Sequence, residues 1–291
     1  MALQWYPGHM TKARRELAGL MPSQDLVIEV IDARLPAAST NPVVTELRGD
    51  KPCIKVLTKS DLADPDVTRA WLAALASPPH TVAFAPNPER PAETRKRIPE
   101  LAARLGLRHT KDRPLRALIA GVPNAGKSTL INTLVDRLVA KTSDKPAVTK
   151  IQQRVVLPGG MIVTDSPGIL WPKIEDEAGA FRLALAGSIP DTAIDYLTIG
   201  MFAARLVLAR YPALVVARYK LAGVPASAEA LLTEIGRRRG GLRAGGTVDL
   251  HKASEILVRE FRQGTLGRIS LELPAPTPDA VPAPVPPASI G

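Results

Sequence analysis

Residues 120–129 read AGVPNAGKST, between a β-branched run, RALIAGV (116–122), and a helix-forming one, STLINTLV (128–135). A strand that turns through Gly121, Gly126 and Lys127 into a helix aims successive backbone N–H groups and the helix N-terminus at one point, which makes a cradle for an oligophosphate. In this pattern Asn124, Ala125, Gly126, Lys127, Ser128 and Thr129 line the phosphates. Lys127 serves the β and γ groups, and the Ser128 hydroxyl binds Mg²⁺. Such a loop opens at the carboxyl edge of a sheet, and the chain supplies the other strands: LVIEVIDA (26–33), CIKVLTK (53–59), TVAFA (81–85), QQRVVL (152–157) and MIVTD (161–165). Their alternation with helix-like stretches reads as a mostly parallel sheet with helices on its faces, an α/β domain.

The strand MIVTD leads into Asp165-Ser-Pro-Gly168. At the carboxyl edge the Asp165 carboxylate reaches Mg²⁺ through water, and the Gly168 N–H contacts the γ-phosphate. Alone the tetrapeptide is an ordinary turn, and its position downstream of the phosphate loop gives it the second role. Between them lies KTSDKPAVTK (141–150), where Thr149 is the candidate for a second hydroxyl on the metal, with Thr142 and Ser143 also available.

The strand CIKVL is followed by Thr58-Lys59-Ser60-Asp61. A carboxylate there accepts from both N1–H and the exocyclic amine of guanine, whereas adenine presents an acceptor at N1 and no such amine, so the pairing selects GTP and GDP. The stem of Lys59 covers the base. The competing reading makes the aspartate a helix N-cap before ADPDVTRAWLAAL. The base-reading piece precedes the phosphate-binding piece, the reverse of an ordinary small GTPase. In a doubly wound sheet all strand ends converge on one edge, so a circular permutation that rebuilds the sheet rebuilds the site.

Helical periodicity takes over after about residue 175, as in Leu231, Leu232 and Ile235, or Ala253, Ile256, Leu257 and Phe261. The expected division is therefore a GTPase domain with a basic N-terminal segment over 1–174, a helical domain over 175–273, to which the resemblance named below adds RNA binding, and a Pro/Ala-rich disordered tail over 274–291. The formal charge of +10 favours a polyanionic partner such as RNA, without by itself choosing the polyanion; the expected partner is RNA and not DNA, and Arg237, Arg238, Arg239 and Arg243 in GRRRGGLRAGG, beside Arg259 and Arg262, are candidates for its phosphates. A single cysteine, Cys53, fits a reducing compartment. The basic start MALQWYPGHMTKARREL has no apolar signal core, and MFAARLVLARYPALVVA is broken by two arginines and a proline, so the expectation is a cytoplasmic chain that spans no membrane, with a mitochondrial presequence as the alternative for the N-terminus.

Taken together, QWYPGHMTKARREL, IDARLPAASTNP, LTKSD, GVPNAGKSTLIN, PAVTK, DSPGILWPK and LGRISLE resemble the circularly permuted GTPases, and specifically the ribosome biogenesis GTPase A family. The resemblance covers nearly the whole chain except the tail. It implies a circularly permuted P-loop GTPase domain followed by an all-α domain that contacts ribosomal RNA, acting late in assembly of the large (50S) ribosomal subunit, with the protein a monomer off the ribosome. Two features depart from what is usual in that family. Thr58 replaces an asparagine whose amide ties the base loop to the phosphate loop, which predicts lowered guanine affinity. The loop AFAPNPERP (83–91) lacks the expected glycine. Ile169 stands where Ras-like GTPases carry a water-orienting glutamine, although a hydrophobic residue there is in keeping with the resemblance.

Isoleucine neither orients nor polarises water, so the isolated protein is expected to turn over GTP slowly. Two substitutes are visible: Asn124, which in similar GTPases coordinates K⁺ where an arginine finger would sit, and His9, whose imidazole approaches the γ-phosphate if the N-terminal segment folds over the site. Two other readings stay open, an RNA-binding scaffold that holds GTP without hydrolysing it, and a GTPase acting on tRNA or membranes.

Overall fold

The computed structural model describes residues 8–108, 113–135, 154–157, 160–171, 174, 176–243 and 245–275, with the side chains of residues 8 and 9 outside that set. Its strands are β1 (Leu26–Asp32), β2 (Cys53–Thr58), β3 (Thr81–Phe84), β4 (Arg116–Gly121), β5 (Arg154–Val156) and β6 (Ile162–Asp165). Among the described residues they form one sheet in the order β3-β2-β1-β4-β6-β5, parallel throughout except for β5 against β6. Alternation within the central strands explains why they read as mostly apolar runs, broken inside by the Glu29–Lys55 pair. Leu26, Ile28, Val30, Ile54, Val56, Ala117 and Ile119 pack into one cluster, while Val27, Cys53, Leu118 and Ala120 pack into another. A strand covered on both faces has no solvent-facing side, so its polar residues are few and paired or at the carboxyl ends.

The second cluster is roofed by α1 (Gly8–Leu20) and α3 (Pro42–Arg48), through Met10, Ala13 and Leu17 at helical spacing and through Val43 and Val44. Short α2 (Pro36–Ser39) follows β1, α4 (Pro65–Leu75) follows β2, α5 (Pro91–Arg104) follows β3, and α6 (Lys127–Val135) follows β4. Asp64 caps α4, accepting from the N–H groups of Asp66 and Val67, with Pro65 at the first helical position. The cap is therefore Asp64, and Asp61 stays exposed three residues upstream.

The remaining helices are α7 (Glu177–Leu185), α8 (Tyr196–Arg210), α9 (Pro212–Tyr219), α10 (Ala228–Arg239) and α11 (Leu250–Gln263). Their apolar faces, including Leu183, Leu231, Leu232, Ile235, Leu257 and Phe261, belong to the same cluster as the first face of the sheet. Among the described residues no single helix is long and apolar enough to cross a membrane. The apolar stretch 201–217 is split between α8 and α9, which are bent by 111° where Pro212 removes a backbone donor.

A buried ion pair marks the edge where β1 ends. Arg34, 1% exposed, donates from Nε to Asp32 Oδ1 at 3.0 Å and from Nη2 to Oδ2 at 2.8 Å, and lies over the Phe261 ring of α11 at 4.7 Å. Burial pushes the Asp32 pKa upward, but Arg34 and Lys59 outweigh it and hold the carboxyl well below the usual range. Arg34→Ala leaves that charge with one partner fewer in the interior and is expected to cost roughly 3–5 kcal/mol in chemical denaturation. A loss under about 1 kcal/mol would mean that water already reaches the pair.

Candidate nucleotide site

The carboxyl ends of β4, β2 and β6 carry the loops 122–127, 58–61 and 165–168, and their parallel arrangement brings all three to one edge. β1 and β4 are neighbours, with the chain progressing to β2 and β3 on one side and to β6 on the other, so the crevice lies where the strand order reverses. The two pieces that are far apart in sequence are bonded there. Lys59 Nζ donates to the Asn124 carbonyl at 2.6 Å and to Asp32 Oδ2 at 2.9 Å. The Thr58 hydroxyl lies within reach of the Ala125 carbonyl and, at 3.0 Å, of the Ile31 carbonyl, its single proton serving one at a time. Gly126, at φ 97°, comes close enough that a Cβ there would sit 3.3 Å from Thr58. Threonine thus preserves the tie between base loop and phosphate loop. The hydroxyl, on a strand this close to the loop, stands in for the asparagine amide without a longer side chain.

At the phosphate end Lys127, 7% exposed, donates to the carbonyls of Gly121 and Val122 at 3.1 and 2.9 Å. Burial lowers its pKa to about 8 against the opposing pull of Asp165. Burial likewise raises the Asp165 pKa to about 6, with Lys127 acting in the other direction. Both Asp165 carboxylate oxygens are buried with no hydrogen-bond partner among the described residues. A buried carboxylate that lacks a donor is costly unless a cation or its water satisfies it, so the residues fit Mg²⁺. Ser128, the second residue of α6, is half-buried, and Thr129 next to it is exposed. A Cβ on Gly168 would sit 2.8 Å from Pro123 Cα and 2.9 Å from Lys127 Nζ, so the turn after β6 touches the phosphate loop through a backbone that tolerates no side chain.

Ile169 is 2% exposed and packs in the cluster under α1 with Met10 and Leu17. Its carbonyl accepts from Asn41 Nδ2 at 2.7 Å, which fixes the exit of the turn. Asn124, at φ 57°, donates from Nδ2 to the Gly187 carbonyl, just past α7, at 2.7 Å. His9 lies in the first turn of α1 with its side chain outside the described residues, and Thr149, Thr142 and Ser143 lie outside them too, as does the chain beyond 275. Lys12, Arg14 and Arg15 are exposed on α1.

Of the arginines expected to face RNA, Arg237 and Arg238 share Glu234, and Arg243 pairs with Asp249 at 2.9 Å, all on the surface. Arg262 differs: it donates to the carbonyls of Leu185 and Ala184 and to Asp191, clipping α11 to the end of α7. Sequence reading did not single out Asp32, Arg34 or Ser60, whose hydroxyl holds the Pro86 carbonyl of the loop after β3 at 2.8 Å. Only the polar end of LVIEVIDAR hinted at the first two.

The profile of a family described as 50S ribosome-binding GTPase matches residues 116–194. The chain is 40% identical over 285 residues to a Bacillus cereus protein named Ribosome biogenesis GTPase A, covering 94% of this chain and 95% of that one. It is 33% identical to a protein of the same name from Thermotoga maritima, covering 94% and 95%. Two solved structures are similar: GDP-bound YlqF, with 30% identity, TM-score 0.65 and coverage of 89% of this chain and 99% of that one, and GNP-bound YlqF from T. maritima, with 30% identity, TM-score 0.63 and coverage of 90% and 98%.

Proposed function

The chain belongs to the ribosome biogenesis GTPase A family, and on that premise we propose that it binds and hydrolyses GTP as an assembly factor for the large ribosomal subunit in the cytoplasm. The observation that carries this reading is the bond from Lys59 of the base loop to the Asn124 carbonyl of the phosphate loop, which joins two motifs 65 residues apart into one site. We assign the phosphates to 124–129 and the guanine to Thr58, Lys59 and Asp61. Ser128, Asp165 and Thr149 are the candidates to hold Mg²⁺, which when bound neutralises charge on the β and γ oxygens. On nucleotide binding Lys127 leaves the carbonyls of its own loop for the phosphates, and the Gly168 N–H reaches the γ group.

With Ile169 held in the core, no side chain at that position orients the attacking water, and intrinsic turnover is slow. Docking on the subunit supplies what is missing, through His9 on α1 or through K⁺ at Asn124. The GTPase domain spans 1–174 and the helical domain 175–273, with ribosomal RNA on the face carrying Arg237, Arg238, Arg239 and Arg243. The surface ion pairs of Arg237, Arg238 and Arg243 are weak enough to exchange for phosphate. The same buried Ile169 favours one other reading, a scaffold that holds GTP without hydrolysing it.

Single-turnover hydrolysis with and without large subunits separates the two. Stimulation of about tenfold or more, a barrier lowered by about 1.4 kcal/mol, supports the assembly GTPase, and hydrolysis no faster than in buffer in either condition supports the scaffold. Replacing Arg237, Arg239 and Arg243 by alanine is expected to weaken subunit binding and flatten its dependence on log salt by roughly one unit for each phosphate no longer neutralised, while intrinsic hydrolysis stays unchanged. Cosedimentation equal to wild type at all salt concentrations would place the RNA elsewhere.

A further inference from the structure

After α11 the chain caps the helix at Gly264 and runs back along the base loop. Gly264, at φ 74°, approaches Leu62 so closely that a Cβ would lie 2.6 Å from Leu62 Cδ2. Arg268 then donates from Nη2 to the Ser60 carbonyl at 2.9 Å and from Nε to the Ala63 carbonyl at 2.8 Å. Ile269 N–H donates to the Leu62 carbonyl at 3.0 Å, and the Ser270 hydroxyl accepts from Asp64 N–H at 3.1 Å. Tyr211, ahead of α9, donates to the Ser270 carbonyl at 3.3 Å and accepts from its N–H at 3.1 Å, fixing the segment from behind. The turn Lys59–Leu62, closed by its own 3.0 Å bond and entered through Lys59 at φ 56°, is thus held at Ser60, Leu62, Ala63 and Asp64 by the C-terminal segment, and Asp61 is the residue it presents.

We infer that Arg268 is a positioning residue of the guanine site, and that the segment 264–272 sets how firmly the turn offers Asp61 to the base. The inference rests on the proposed role of Asp61. A carboxylate that must meet two donors at once loses most from small displacements, and the turn's own anchors, Lys59 on Asp32 and Asn124 and Ser60 on Pro86, all precede Asp61 and leave its far side to be fixed. The guanidinium spans two carbonyls on either side of Asp61 in a rigid fork, which an ammonium cannot reproduce. Because α11 leads into the segment at Gly264 and Tyr211 holds it at Ser270, any effect of helix placement on base binding would be matched by an equal effect of the base on the helices.

The test compares GDP with inosine diphosphate, which lacks the exocyclic amine, by calorimetric titration of the full chain as wild type, Arg268→Ala, Arg268→Lys and Asp61→Ala. Wild type is expected to prefer GDP by about tenfold or more, the worth of one hydrogen bond to a charged group. Arg268→Ala should bring that ratio down by at least about threefold, with Arg268→Lys between the two. Any loss of folded protein lowers both affinities alike and cancels in the ratio, and Arg268 is exposed, so its removal does not open the core. If Asp61→Ala abolishes the preference while Arg268→Ala keeps it at the wild-type value, the segment is only an adhesive and the inference is overturned. If Asp61→Ala leaves the preference intact, the base is read elsewhere and both the reading and the inference fall.

Discussion

Lys127→Ala is expected to weaken GTP and GDP binding by at least about a hundredfold and to remove measurable turnover. The ammonium is held at the mouth of the loop by the Gly121 and Val122 carbonyls and is electrostatically coupled to Asp165. The oligophosphate offers it stronger, charge-assisted partners, each worth about 1.5–3 kcal/mol. Alanine supplies no charge and leaves Asp165 buried without its nearby cation, so the anionic cluster of carboxylate and phosphates stands uncompensated. Fluorescence titration with a labelled nucleotide, beside a thermal melt that shows the variant folded, measures the effect. Turnover within about twofold of wild type in a folded variant would take the loop out of the chemistry.

Asp61→Asn is expected to lower GTP affinity by about a hundredfold and to raise that for xanthosine triphosphate, reversing the preference. The carboxylate accepts from two donors of guanine. The carboxamide accepts from one and presents its own donor to the other, a mismatch that becomes a match when the exocyclic amine is replaced by a carbonyl. Asp61 is left to the proposed role without competition from the helix, because Asp64 caps α4. Competition titrations with GTP, XTP and ATP read the outcome. Unchanged GTP affinity with ATP still excluded would mean that another group reads the base.

Much of this site was legible because its parts are local. Gly121 to Ser128 announces itself by spacing, and Asp165 by its place at a strand end, since each is fixed by a few consecutive residues. The strands were legible because burial on both faces favours apolar side chains along most of their length, and α10 and α11 because a single buried face imposes its period. What the sequence hid depends on distance across the fold. Whether Thr58 reaches Ala125 is decided by how β2 sits beside β1 and how close β4 brings its loop, and no one-dimensional pattern encodes that separation. Arg268 is 208 residues from the Ser60 carbonyl it holds. Arg262 carried the same charge as its neighbours and differed only in having α7 within reach. Asp64 outcompeted Asp61 as the cap because Pro65 sets the helix start directly after it, a local signal that was present and outweighed.

The central claim is that two motifs in reversed sequence order build one guanine-nucleotide site. A structure of this protein with a non-hydrolysable GTP analogue and Mg²⁺ tests it most directly. The account predicts a single nucleotide whose phosphates lie on the N–H groups of 124–129 with Lys127 turned toward them, and whose guanine meets Asp61 through N1 and the exocyclic amine of the same molecule. Phosphates on that loop with the base turned away from Asp61, or a nucleotide bound at another edge of the sheet, would contradict it.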